Sequence, residues 1–544
     1  MRRRQALAAL LASLAGACAP RLGTKPGAGA PARSRREARE RLDALGRRYE
    51  ALMAEHGEHE WSRYAGRLAE GPAQSARMER LRAAEREVFL EADAILARFG
   101  DRIVSPRRAE LWRRGALGLR LLGDPRAAKL ADELEATLND HRFVVDERPV
   151  TRSELAEMRR SGDPRARRRT RQIEHELHRK AAPVASELLR RRRELAKELG
   201  RPSFYTALLE VRGADVATTE RVLSDLAQRT RRSFAEALGH GRRFFGRPRL
   251  ASWDVDHWLH QQATVPHERF PKQRARPVVE GIFHALGFDV AAWKLDVTVR
   301  DFAFGGQTIA LRVPDDVRLV VRSPPGIRYF GLLLHELGHA VAVRSTESAE
   351  PLYKGYEWVP GLLDPAYAEG VAEVFGRLLD QPRVLREHLR LSAEESETVL
   401  RARRLETLVS IRRGLVATAF ERAALEQDGA NLDALSLDIE RRLSGLFVPR
   451  DAEPVWATSP FLATYPVYTQ SYQLAACVAA QVHRALEVRF GDDWLSPEAG
   501  AFLRQNLLAD GARWTLNEKL VMTTRDRLDA TSLLRFLLAS PERA

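Results

Sequence analysis

The chain has 544 residues, 44% hydrophobic and 30% charged, which excludes a disordered protein and leaves room for several domains. Its net charge of +14 would suit a nucleic-acid partner, but Arg2, Arg3, Arg4, Arg21, Lys25 and Arg33 put +6 of it into residues 1–34, where there is no acid. The +8 left for the remainder is modest and no recognition motif accompanies it, so no nucleic-acid partner is expected.

Residues 1–17 read as an export signal, with a basic head, an apolar run from Ala6 to Leu14 too short to span a membrane, and small residues before Cys18. Leu14-Ala15-Gly16-Ala17-Cys18 resembles a bacterial lipoprotein signal, in which the cysteine is lipidated after cleavage. Ala15 and Ala17 equally suit ordinary signal cleavage, and the adjacent arginines leave a twin-arginine route open. Residues 18–34, rich in Pro, Gly and Ala, read as a flexible tether. The expectation is a protein exported from a bacterial cytoplasm, periplasmic or held at a membrane only by a lipid on Cys18. Cys477 is the one cysteine of the body, so no internal disulfide can form.

Residues 35–544 read as one helical body, with a scaffold over 35–290, a small sheet over 291–325 and catalytic and C-terminal helices over 326–544. In the scaffold, Arg35 to Glu58, Ala76 to Phe99, Asp124 to Asn139, Thr151 to Arg160, Arg165 to Leu199 and Thr218 to Leu238 are dense in helix formers, with Gly and Pro at their ends. The arginine runs at 167–169 and 190–193 alternate with glutamates and are expected on solvated faces, and His175 and His178 on the surface. Asp296 to Phe304, Gly305-Gly306 and Gln307 to Val313 then carry a hairpin signal, with Val317 to Arg322 as a third strand. An exposed edge there would pair with an extended peptide; a purely structural hairpin is the alternative.

Arg328 to Val343 follows, with His335-Glu336-Leu337-Gly338-His339 at its middle. On a helix the two histidines share a face, where neutral imidazoles bind one Zn²⁺ and Glu336 stands by as base for a water. Phe330, Leu333, Leu334, Leu337 and Val341 recur at helical spacing as a stripe to be buried. A third histidine at the spacing of the longer motif is excluded, because Ala342 and Ser345 occupy the required positions. The segment Asp364 to Leu379 opens with an Asp cap and a Pro, and Glu369 and Glu373 lie one turn apart on it. Glu369 is the simplest third ligand and Glu373 its support at a histidine, with Glu357 the weaker candidate. Further on, Tyr465, Tyr468 and Tyr472 form either an aromatic packing stripe or a source of phenol donors to an oxyanion.

The chain resembles the thimet-oligopeptidase and oligoendopeptidase family of zinc peptidases over most of residues 185–540. The pieces are Leu195 to Gly200 with Phe204-Tyr205, Ser252 to Trp258, Phe270-Pro271, Val279 to Phe288, Gly500 to Arg504 and Leu507 to Gly511, in order around the zinc motif. Glu369 to Glu373 looks more like the related angiotensin-converting-enzyme family, in the wider glutamate-zincin group. The histidine that precedes the family's tyrosines is absent, since Thr458, Ser459 and Pro460 stand there. The resemblance implies a mostly α, two-lobed ellipsoid with a deep central channel admitting short peptides, a small sheet beside the zinc helix, one zinc ion and a monomer. It also implies that Tyr465 and Tyr472 face the substrate, with Tyr472 the oxyanion donor. The expected protein is a metallopeptidase of oligopeptidase or peptidyl-dipeptidase type in which His335, His339 and Glu369 hold zinc and Glu336 is the base. An inactive peptide-binding lipoprotein of the same fold, or a helical lipoprotein with an incidental motif, is the alternative.

Overall fold

The structure, a computed structural model, describes residues 32–68, 71–262, 265–300 and 305–538. It is mostly helical. In chain order come α1 (Arg35–Tyr64), α2 (Pro72–Phe99), α3 (Pro106–Leu122), α4 (Pro125–Asp140), α5 (Arg152–Arg160), α6 (Pro164–Glu198), α7 (Phe204–Val211), α8 (Val216–Arg229), α9 (Arg231–Phe245), α10 (Val255–Gln262) and α11 (Lys272–Ala285). After a small sheet follow α12 (Ile327–Arg344), α13 (Pro365–Gly376), α14 (Ala393–Glu426), α15 (Leu432–Leu443), α16 (Thr469–Phe490), α17 (Pro497–Leu503), α18 (Leu516–Thr524) and α19 (Thr531–Leu538). The export signal and Cys18 lie outside the described residues. Among those described, no helix is long and apolar enough to cross a membrane. Cys477 is buried and free.

Helix starts fall where the chain can satisfy its own first-turn amides. The side chains of Asp124, Thr151, Asp163 and Asp364 each accept a main-chain N–H just inside α4, α5, α6 and α13. The stretch from Thr218 to Leu238 is two helices rather than one. The buried Thr230 hydroxyl donates to Leu226 O at 2.6 Å, and the chain turns there between α8 and α9.

The arginine runs also differ from expectation. Arg167 is 1% exposed and donates to Asp254 and to the carbonyls of Ser161 and Gly162. Arg192 is buried on the carbonyls of Leu462 and Ala463. His178 is likewise buried rather than superficial, stacked on His175 and 3.2 Å from Asp433. These side chains tie distant segments together, as does Arg193, which donates to the Ala424 carbonyl at 2.6 Å.

The small two-stranded ribbon is β1 (Phe143–Val145) with β2 (Arg148–Val150), and the sheet beside α12 is β3 (Asp296–Val299), β4 (Gly306–Arg312) and β5 (Asp316–Val321). The expected hairpin of β3 with β4 does not form. β5 lies in the middle, antiparallel to β4 and parallel to β3. The tight connection is Val313-Pro314-Asp315, whose Pro and Asp are turn formers, and Gly306 is a strand residue opposite Val321. β4 is thereby an edge. Its outer side rests on α1, where Gly57 lies so close to Ala310 that a Cβ would stand 2.9 Å from the Ala310 carbonyl oxygen. Trp61 packs there with Ile309, Leu311 and Val320.

α12, α13 and α16 share one large apolar core, and Phe330, Leu333, Leu334, Leu337 and Val341 are all buried in it, as the spacing predicts. Each such side chain contributes roughly 1.5–3 kcal/mol by leaving water. Gly338 sets how closely α13 approaches. A Cβ there would come within 2.9 Å of Phe375 Cδ2 and 3.1 Å of Ala372 Cα.

Candidate metal centre

That close approach brings Glu369 under the two histidines. Glu369 Oε2 lies 3.4 Å from His335 Nε2 and 3.9 Å from His339 Nε2. The donor atoms of all three residues fall within 4.8 Å of one another. Ligands on a tetrahedral zinc at about 2.0–2.1 Å stand about 3.3 Å apart, so the spacing suits one ion with little adjustment. Glu369 Oε2 is buried and no donor among the described residues completes a hydrogen bond to it. Two imidazoles, one carboxylate and an orphaned oxygen between them fit a divalent metal of the zinc type. Glu357, the weaker third-ligand candidate, is not in the cluster.

Two of the three candidate ligands are held from behind. Glu373 Oε1 stands 3.3 Å from His335 Nδ1, which leaves Nε2 for the metal, and its other oxygen meets Arg377 at 3.3 Å. The Tyr468 hydroxyl donates to Glu369 Oε1 at 2.7 Å. Sequence reasoning ranked Tyr468 below its neighbours, and nothing in the spacing distinguished it.

Glu336 is 4% exposed. The Thr308 hydroxyl on β4 lies 2.8 Å from its Oε2 and 2.9 Å from its main-chain oxygen. Two residues away on the same strand, Gly306 leaves the space that the Glu336 side chain fills, since a Cβ there would overlap it at 2.5 Å from Cγ and closer still to the carboxyl group. Thr308 and Gly306 therefore form a cradle for the base, and neither was singled out from the sequence. Burial pushes the Glu336 carboxyl up to about 7, against the pull of His335 and Thr308.

The histidines diverge. Burial opposes charge on His335, but the carboxylates of Glu369 and Glu373 outweigh it and hold its pKa well above 6.5. Burial and the neighbouring His335 push His339 down to about 4. Glu369 is held below the usual carboxylate range despite its burial, because His335, His339 and Tyr468 surround it. Without metal, the proton of the site therefore sits on His335.

His335, Glu336, His339, Glu369, Gly306 and Thr308 line a cavity of about 280 Å³ together with Gln307, Lys354, Glu357, Trp358 and the three tyrosines. Only Tyr472 belongs to a helix; Tyr465 and Tyr468 precede α16, yet their rings stand 5.5 Å apart and Tyr468 lies 5.5 Å from Tyr472. The Tyr472 ring is 39% exposed, and its hydroxyl has no partner among the described residues. Tyr465 is engaged by Tyr64 of α1. The segment bearing Tyr465 and Tyr468 is pinned by buried groups: Arg192 on its carbonyls, Glu421 accepting Val467 N–H at 2.7 Å, and the Arg212 guanidinium 5.0 Å over the Tyr468 ring. Phe461 also borders a second cavity of about 450 Å³ between α6, α10 and α14.

No protein-family model matches the sequence, and no curated protein matches it. Solved structures do. A carboxypeptidase of Pyrococcus furiosus superposes with a TM-score of 0.62 at 15% identity, over 92% of this chain and 98% of that one. An M32 carboxypeptidase from Deinococcus radiodurans R1 gives 0.60 at 16% identity, over 92% and 97%. Over nearly its whole length, the chain shares the helical fold of these two carboxypeptidases.

Proposed function

We propose that the chain is a zinc-dependent metallopeptidase acting on short peptides. The observation that carries the reading is the convergence of His335, His339 and Glu369 beside a buried, cradled Glu336 in one cavity. The names of the two carboxypeptidases that share the fold support peptide hydrolysis as the reaction. Removal of terminal residues and cleavage at internal bonds are both compatible with the cavity, and the likeness to oligopeptidases read from the sequence belongs to this proposal.

A divalent ion held by the three ligands would supply Lewis acidity and lower the pKa of water from 15.7 to about 7. Glu336 accepts the proton of the attacking water and delivers it to the departing amine, and a carboxyl that titrates near neutrality suits both steps. Thr308 fixes which oxygen of Glu336 faces the reacting centre. Tyr472 is the phenol free to donate to the carbonyl oxygen as charge gathers there, an interaction typically worth about 2.7–4 kcal/mol. Tyr468 orients Glu369 instead, and Tyr465, tied to Tyr64, stays the second choice. The intact base and free phenol favour the active reading over the inactive peptide-binding alternative, which the missing histidine motivates.

The test is hydrolysis of a mixed library of roughly ten-residue peptides by the wild type, by Glu336→Gln and by the wild type with chelator. Cleavage by the untreated wild type alone, with the metal retained in Glu336→Gln, is expected. Equal cleavage by all three samples, or by none with metal bound, would overturn the reading.

A further inference from the structure

Glu357 has no part in the machinery described so far. It lines the same cavity as the metal cluster, on the loop between α12 and α13. Glu357 is exposed to the cavity, and its carboxylate accepts from Gln307 Nε2 at 3.2 Å. It caps no helix, and no cation among the described residues lies within salt-bridge distance. The groups that act on it electrostatically, Glu369, Glu336 and Glu60, are all acidic. Among the described residues no arginine lines the cavity, and its lysine, Lys354, is tied to Glu50.

Desolvation in the cavity wall and the neighbouring carboxylates push the Glu357 carboxyl up to about 8, and a positive group beside it would restore the ionised form. One divalent ion would balance Glu369 and Glu336 and leave Glu357 as the carboxyl of the lining without a positive partner. Its position is defined as well. Gln307 lies on β4 between Gly306 and Thr308, the two residues that cradle Glu336. The loop is braced by Trp358, which stacks on His56 with ring centroids 5.0 Å apart.

We infer that Glu357, held by Gln307, is a subsite for a positively charged group of the substrate, an ammonium or guanidinium close to the scissile bond. The inference rests on the metallopeptidase reading. An extended peptide advances about 3.3 Å per residue, and Gln307, which holds Glu357, adjoins Thr308, which holds Glu336, so the group comes from a residue near the cleaved bond. Two sources share this chemistry: the free N-terminus of a short peptide and a lysine or arginine side chain. A free C-terminal carboxylate finds no protein cation in the lining except the occupied Lys354.

The experiment measures peptide affinity by calorimetry in the metal-loaded Glu336→Gln protein, so that binding is read without turnover. One arm compares pentapeptides with free and acetylated N-termini; the other compares lysine or arginine with norleucine at each position. At least about tenfold tighter binding of the charged member in one arm is expected, and that arm identifies the source. The preference should vanish when Glu357→Gln is added. Equal affinities in both arms, or a preference that survives Glu357→Gln, would overturn the inference. If Glu357→Gln does not fold, the comparison in the Glu357-intact protein decides alone. A charge preference in binding with no hydrolysis by the wild type would uphold the subsite while removing the proposed activity.

Discussion

Substituting Gly306 by alanine tests whether Glu336 works from the position described. The added methyl would stand 2.5 Å from Glu336 Cγ and closer still to its carboxyl group, where relaxed carbon contacts are about 3.5–4.0 Å. Relief requires the carboxylate to move by about 1 Å or more, away from Thr308. A misplacement of that size at a reacting centre costs on the order of 100-fold in rate, about 2.7 kcal/mol. Overpacking the site costs about 1–3 kcal/mol of stability as well. The ligands are on α12 and α13 and keep their spacing, so metal should remain at one equivalent. The assay is kcat and KM on one cleaved peptide, with metal content and a thermal melt on the same samples. A fall in kcat with KM and metal preserved is expected. Near-wild-type turnover by a metal-loaded Gly306→Ala protein would refute the assignment of Glu336 as a base held by this cradle.

Thr308→Val removes a hydrogen bond that lowers the Glu336 pKa, so that pKa rises; because the base must be ionised, the acidic limb of the kcat profile should move to higher pH. Glu369 and Glu373 hold the His335 pKa well above 6.5, so metal binding there should release protons, read by calorimetry in buffers of different ionisation enthalpy. For the same reason affinity for the metal should weaken as pH falls. Arg192→Met leaves the buried carbonyls of Leu462 and Ala463 without their donor, at about 1–3 kcal/mol for each group, and should loosen residues 459–468 in hydrogen exchange and denaturant titration.

The helices that bear the ligands were legible because their signals are local. Four-residue spacing joins His335 to His339 and Glu369 to Glu373, and Asp364-Pro365 marks where α13 begins. The cradle was not legible, because it depends on which strand β5 pairs with. Alternation identifies a strand without naming its neighbour, so Gly306 passed for a turn and Thr308 for an ordinary strand residue. The turn formers Pro314 and Asp315 were the available clue. The buried arginines had a clue too. Leu188, Leu189, Arg192, Leu195 and Ala196 form one apolar stripe, and Arg192 is the charged member that shares its face. The preference for Tyr468 at Glu369 arises where the chain enters α16, and no residue pattern encodes it.

Tyr468 lies 99 residues after Glu369. At a synthesis rate of about 5–20 residues per second, the carboxylate is made roughly 5–20 seconds before the phenol that orients it. β4, with the cradle for Glu336, is made before both and rests on a helix that begins at Arg35. The centre is therefore complete only once the segment bearing Tyr468 has been made and packed against Glu369. Metal that binds this arrangement alone favours the complete fold by RT ln(1 + [M]/Kd), so metal uptake reports the end of folding and guards against partial products.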